Sequence, residues 1–274
     1  MKLQDKFIEL RKKRQGILAT NFYNYETLEG VLCAAKEANH PIILQLTKSS
    51  IDYMGLKVAF NLAKSMLDKH GVEGWVHLDH GSSYELAAQC LDAGFDSVMI
   101  DASEQPFKDN IAITSKVVKL AESYGANVEA ELGYIAKLGQ AKDNSGFTQP
   151  EEAKQFAEAT GVNALAVAIG TAHGFYDKEP KLDLKRLSEI SAATDVTLVL
   201  HGGSGVPDES LRQAIDRGIC KINLATEIKN IFMQTLKAKL LTNEEIDLRK
   251  VFPTATEQVT KLVKNKLDIV RNEK

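Results

Sequence analysis

Cysteine is scarce in this chain, with three residues among 274, at Cys33, Cys90 and Cys220. An odd and widely spaced set gives no disulfide framework, so these are expected to be buried free thiols in a reducing cytoplasm. Long apolar runs are absent as well. Each run is far shorter than the ~20 residues of a membrane-spanning helix, so no membrane role is expected. No basic block stands out, and 34 Lys and Arg side chains face 37 Asp and Glu, for a formal net charge of −3. That balance attracts neither nucleic acid nor an anionic lipid surface. Charged residues interrupt the first ten positions, so no secretory signal is read there and a cytoplasmic location is expected. Linkers rich in Pro, Gly or Ser and low-complexity tracts are also missing, so residues 1–274 are expected to form one domain.

What remains is a regular alternation. Short runs rich in Val, Ile, Leu and Ala cover 17–22, 41–47, 75–80, 97–102, 127–133, 164–170, 196–202 and 219–226. Strands buried on both faces have this composition. Segments of period 3.6 lie between them, among them LEGVLCAAKEAN, YELAAQCLDAG and PEEAKQFAEATG, and several end in glycine. Eight βα units in succession predict an α/β fold, a closed (β/α)8 TIM barrel. KFIELRKKRQ adds an N-terminal helix, and a C-terminal helical extension covers about 257–271. The competing open, doubly wound sheet lacks its Gly-rich dinucleotide fingerprint after the first strand.

In such a barrel the C-terminal strand ends converge on one mouth, where the chemistry is done. The chain has six histidines. His40 precedes the second strand on the opposite face, His70 ends a helix before Gly71, and His77 lies inside the third strand. His80, His173 and His201 each follow or end an apolar run, in HLDHG, GTAHG and LHGGSG. Three imidazoles at one mouth make a zinc site with its fourth position open. Carboxylates gather there too. Asp79 is the candidate base; Asp101 and Glu131 are candidate orienting groups or an alternate metal site, and Glu129 is a possible interior partner. Adjacent strand residues point to opposite faces, so Asp79 and His80 share the mouth only if the strand frays there. The ends of the last two strands, HGGSG and NLAT, fall where barrels bind phosphate. Gly174, Gly202, Gly203, Ser204, Asn223, Ala225 and Thr226 are the candidate phosphate contacts.

The chain resembles the class II, zinc-dependent ketose-bisphosphate aldolases along nearly its whole length. The likeness runs through ATNFYNYETLEGV, HLDHGSSYE, SVMIDAS, VEAELG, LAVAIGTAHGFY, LVLHGGSG and KINLATE. NLATE is closer to the tagatose-bisphosphate branch than to the fructose-bisphosphate branch. The resemblance implies His80, His173 and His201 as zinc ligands, Asp79 as acid and base, and HGGSG with NLAT as the phosphate site. It further implies reversible cleavage of a ketose phosphate or bisphosphate to dihydroxyacetone phosphate and an aldehyde, in carbohydrate metabolism such as glycolysis. A monovalent cation (Na+ or K+) and a homodimer or homotetramer come with it.

Two departures from the family stand out. After ELG the loop reads YIAKLGQAKDNSGF and lacks the family's GGxED glutamate; Asp143 is the nearest carboxylate. FPTATEQ, where the last helix begins, offers no cation for a distal phosphate. Lys48, Ser49 and Ser50, with Asn21, are the candidates for that distal end, which is expected to hold a group other than the usual phosphate. Three other functions compete: a Schiff-base aldolase using Lys221, whose alternative role is an interior ion pair; a zinc hydrolase; and a non-catalytic barrel that binds sugar phosphates.

Overall fold

A computed structural model describes residues 1–135, 146–176, 178–242 and 244–273. The loop residue Asp143 lies outside them. The strands are β1 (Ile17–Asn21), β2 (Ile42–Thr47), β3 (Gly74–Gly81), β4 (Ser97–Ile100), β5 (Asn127–Leu132), β6 (Ala164–Val167), β7 (Thr197–Leu200) and β8 (Ile219–Leu224). All pair in parallel, each with the next, and β8 pairs with β1 to close the barrel. The fold is a (β/α)8 TIM barrel. Its helices are α1 (Leu3–Lys13), α2 (Tyr25–Ala38), α3 (Lys48–Met54), α4 (Leu56–His70), α5 (Tyr84–Asp92), α6 (Phe107–Glu122), α7 (Pro150–Thr160), α8 (Leu184–Ala193), α9 (Asp208–Asp216), α10 (Thr226–Leu240), α11 (Leu248–Val251) and α12 (Pro253–Arg271).

Strand parity sorts the side chains into two cores. Outward residues such as Leu18, Leu44, Val76 and Val98 pack against the helices in a continuous apolar shell. Inward residues Ile17, Ala19, Ile43, Trp75, Ala164, Ala166 and Val199 fill the lower barrel, where Leu3, Phe7 and Leu10 of α1 cover them. Burying each such large side chain contributes about 1.5–3 kcal/mol. Higher in the barrel the inward positions turn polar: His77, Glu129 and Lys221, then Asn21, Asp79, Glu131 and Asn223, all buried. His201 joins them from just past β7. The site is thus built on the same pleat that builds the core.

Two local features set the frame around the mouth. α2 begins at Tyr25, three residues before the start read from periodicity, because Asn24 and Thr27 form a capping box. The C-terminal helix α12 packs on α2 at Gly30, where a Cβ would fall 2.8 Å from Thr256 O and from Val259 Cβ. Only glycine permits that approach, and Thr260 Oγ1 donates to Gly30 O at 3.1 Å. β4, β6, β7 and β8 end earlier than their apolar runs, since the runs continue into buried mouth loops. α3 follows β2 directly and carries Lys48, Ser49 and Ser50. Thr47 starts it by accepting from Ser50 N–H.

Candidate active site

Asp79 and His80 are neighbours in sequence and both reach the mouth. The strand does not fray. His80 takes a left-handed backbone, φ +49°, and the β3–β4 register shifts between Leu78 and Gly81. A left-handed non-glycine residue costs about 1–3 kcal/mol. Gly81 is needed beside it, because a Cβ there would sit 2.3 Å from Met99 O. This bulge rotates His80 to the side that Asp79 already faces, and Asp79 Oδ1 ends 4.0 Å from His80 Nε2.

The structure brings His80, His173 and His201 together, with one ligand atom of each within 4.8 Å of the others. The rings stand edge to face, with centroids 4.8 Å apart for His80 and His173 and 4.7 Å for His80 and His201. Carboxylates orient two of them. His80 Nδ1 donates to Asp101 Oδ2 at 2.7 Å, and His201 Nε2 donates to Glu129 Oε1 at 2.9 Å. A carboxylate only accepts, so each ring keeps its hydrogen on that side. The opposite nitrogens, His80 Nε2 and His201 Nδ1, then face each other 3.1 Å apart. Two lone pairs at that distance repel unless a cation or a proton lies between them. Burial opposes charge on His80, yet Asp79 and Asp101 push its pKa up to about 9. Burial, then the charges of His80 and Lys221, hold His201 far below the usual imidazole range. A divalent ion fits this arrangement: imidazoles facing one another, with a carboxylate behind His80 and another behind His201.

Asp79 is buried and accepts from two amides, Asn21 Nδ2 at 2.8 Å and Asn223 Nδ2 at 3.3 Å. Gln45 Nε2 donates to Asn21 Oδ1 at 3.2 Å and fixes its orientation. Burial alone would raise the Asp79 pKa; His80, His201, Lys221 and Asn21 outweigh it, and the carboxyl is held below the usual range. Glu131 goes the other way. Burial, then the Asp101 charge, push it up to about 8. It lies 3.3 Å from His201 Nδ1, and with His80 and Asp101 it forms a second set of potential ligands.

Lys221 is 1% exposed and sits 2.6 Å from Glu129 Oε2, with His77 Nε2 at 3.4 Å. It is the interior ion pair that the sequence offered as an alternative to a Schiff-base lysine. His77 donates to or accepts from Ser97 Oγ at 2.8 Å, inside the barrel.

The loops after β7 and β8 meet at the start of α10. Ser204 Oγ accepts from Glu227 N–H at 3.2 Å, and Gly205 N–H donates to Glu227 Oε1. Gly203 N–H is spent inside the fold, on Asn223 O at 3.1 Å. Ala225 precedes α10 and Thr226 begins it, so their amides lie at its positive end. The Tyr176 hydroxyl, absent from the sequence-based candidates, joins Ala172 N at 2.8 Å to Gly202 O at 2.8 Å and ties the loop bearing His173 and Gly174 to the one bearing His201.

The distal candidates are placed differently from one another. Asn21 serves Asp79. Lys48 Nζ lies 2.5 Å from Asp52 Oδ2 on its own helix. Ser49 Oγ and Ser50 Oγ lie 2.9 and 3.2 Å from Thr47 Oγ1. Tyr23 was also missed: burial, then the Asp79 charge, raise its phenol above the ordinary range, and Lys229 Nζ lies 5.4 Å from its ring centroid. No residue pattern near position 23 marks it, since Asp79 lies far along the chain, on β3.

Known proteins share this architecture. The YdjI aldolase of Escherichia coli K12 is 32% identical, with TM-score 0.88, over 98% of this chain and 96% of that one. A putative fructose-1,6-biphosphate aldolase from Coccidioides immitis is 27% identical, with TM-score 0.90, over 99% and 96%. The fructose-bisphosphate aldolase of Campylobacter jejuni, at 20% identity and TM-score 0.84 over 98% and 93%, shares the fold. A family model described as "Fructose-bisphosphate aldolase class-II" matches residues 1–274. The chain therefore belongs to the class II fructose-bisphosphate aldolase family.

Proposed function

We propose that this lyase is a zinc-dependent aldolase that reversibly cleaves a ketose phosphate or bisphosphate to dihydroxyacetone phosphate and an aldehyde. One observation carries the reading: two inward imidazole nitrogens 3.1 Å apart, each ring backed by a carboxylate, beside an Asp79 held by two amides. His80, His173 and His201 would hold the ion. When bound, it supplies Lewis-acid polarisation of the ketose carbonyl.

Asp79 does the proton work. In cleavage its carboxylate takes the C4 hydroxyl proton, the C3–C4 electron pair stays with the three-carbon fragment, and C3 then takes up a proton to give dihydroxyacetone phosphate. In condensation it returns that proton to the new alkoxide. Asn21 and Asn223 keep the carboxylate aimed and ionised between turnovers. Ser204, Thr226 and the amides of Gly174, Gly202, Ala225 and Thr226 cradle the phosphate at the start of α10. Gly203 contributes shape there, because its N–H is already committed. A Na+ or K+ ion on nearby carbonyls and a homodimer or homotetramer belong to the same proposal. The Schiff-base route is disfavoured by the pairing of Lys221 with Glu129.

The test is a condensation screen of dihydroxyacetone phosphate with a panel of aldehydes, with and without chelator. Product that appears with metal and vanishes with chelator is the expected result. Product that survives metal removal, or none with any aldehyde, overturns the proposal.

A further inference from the structure

A second set of metal-binding side chains lies outside the barrel. Glu29 and Cys33 are one turn apart on α2, and His70 is the last residue of α4, which packs on α2. One ligand atom from each lies within 4.8 Å of the others. His70 Nε2 is 3.1 Å from Glu29 Oε2, and Cys33 Sγ is 3.8 Å from Glu29 Oε1. Tetrahedral zinc with bonds of about 2.0–2.3 Å separates its ligands by about 3.3–3.8 Å. The two spacings from Glu29 lie at that range, and Cys33 and His70 come within 4.8 Å of each other, so the site can contract onto an ion.

We propose that Glu29, Cys33 and His70 form a second metal site, for a borderline or soft divalent cation such as Zn2+. Thiolate, imidazole and carboxylate together suit such ions better than Mg2+ or Ca2+. Binding is charge-balanced: Cys33 releases its proton to solvent, and one thiolate and one carboxylate neutralise the dication. His70, whose Nε2–H faces Glu29 Oε2 without metal, carries its hydrogen at Nδ1 in the bound state and turns the freed Nε2 lone pair toward the ion. The fourth position is left to water.

The surroundings fit. The His70 side chain is 7% exposed and already held by Glu29, so its orientation costs little on binding. Glu29 and Cys33 are partly exposed, which leaves a path for the ion. Lys69 Nζ now pairs with Glu29 Oε2 at 2.9 Å and is half exposed. Such a pair is weak and gives way to a divalent ion. Burial, then Glu29 and Glu37, hold the Cys33 thiol protonated without metal, so uptake there must release a proton.

Cobalt separates this site from the barrel mouth. The three imidazoles at the mouth offer no sulfur, so only a cysteine ligand gives a thiolate-to-cobalt charge-transfer band in the near ultraviolet. Chelator-treated protein reloaded with Co2+ is expected to show that band and to bind a second equivalent. Cys33→Ser should abolish both, and His70→Gln should weaken the second Co2+ by about tenfold or more. Cys90→Ser, at a fully buried thiol, should leave the band intact. Absence of the band in wild-type protein, or its survival in Cys33→Ser, overturns the proposal. Failure of the aldolase assay would leave the band unchanged.

Discussion

Glu129 binds Lys221 with one carboxylate oxygen, at 2.6 Å, and His201 with the other, at 2.9 Å. The lysine thus neutralises a buried carboxylate that in turn fixes the tautomer of a candidate metal ligand. Removing one partner of a buried pair leaves an uncompensated charge and typically costs about 3–5 kcal/mol. Lys221→Met is expected to lose stability on that scale, read by denaturant unfolding. Wild-type protein treated with borohydride and substrate should form no covalent adduct; an adduct at Lys221 would replace the metal route with a Schiff base.

Asp79 accepts from both Asn21 and Asn223. It is also held in its ionised form by the charges around it. A positioned acid or base contributes about 10²-fold or more. Asp79→Ala is therefore expected to keep its zinc, measured by metal analysis, and to lose cleavage by at least that factor. Turnover equal to wild type would remove Asp79 from the mechanism.

Much of this was readable from sequence, for a physical reason. Strands covered on both faces must be apolar runs, and helices between them must carry a 3.6 period, so eight repeats left little choice of fold. His80, His173 and His201 stood out because each followed such a run. The bulge at His80 did not. Its left-handed backbone depends on Gly81 fitting under Met99 O, a contact between strands that no local pattern encodes. The same holds for Asn21, which reads as a distal substrate group until β1, β2 and β3 pair side by side and set it against Asp79. Gly203 looked like a phosphate donor, yet its N–H is consumed by Asn223 O, one strand away.

The histidine and carboxylate shifts fix a pH window for the metal-free protein. His80 goes from an ordinary 6.5 up to about 9, so its contribution to stability is complete below 6.5 and lost as pH rises through about 9. Glu131 goes from 4.5 up to about 8, so the folded chain again binds more protons than the unfolded one, and stability falls as pH rises from 4.5 toward 8. Both act in the same direction. Metal takes the place of the His80 proton, so loaded protein should be less affected. The gap in Tm between zinc-loaded and chelator-treated protein is expected to widen between pH 6.5 and 9, measured by calorimetry. A gap that narrows over that range would contradict the assignment.

Lys48 tests the proposal for the distal end of the substrate. It is a cation near β2 that could replace the one missing from FPTATEQ, and its ammonium instead pairs with Asp52 one helical turn away. Both side chains are more than half exposed, at 55% and 60%. An exposed pair is worth about 0–1 kcal/mol, so the lysine is not firmly held and offers no fixed cation for a second phosphate. Lys48→Ala is expected to change kcat/KM on fructose- and tagatose-bisphosphate by less than about fivefold, the equivalent of 1 kcal/mol. Wild-type kcat/KM on both bisphosphates should itself be low if, as the sequence leads one to expect, the distal group is something other than phosphate. High wild-type values that collapse only in Lys48→Ala would place a phosphate on this lysine and reverse the conclusion.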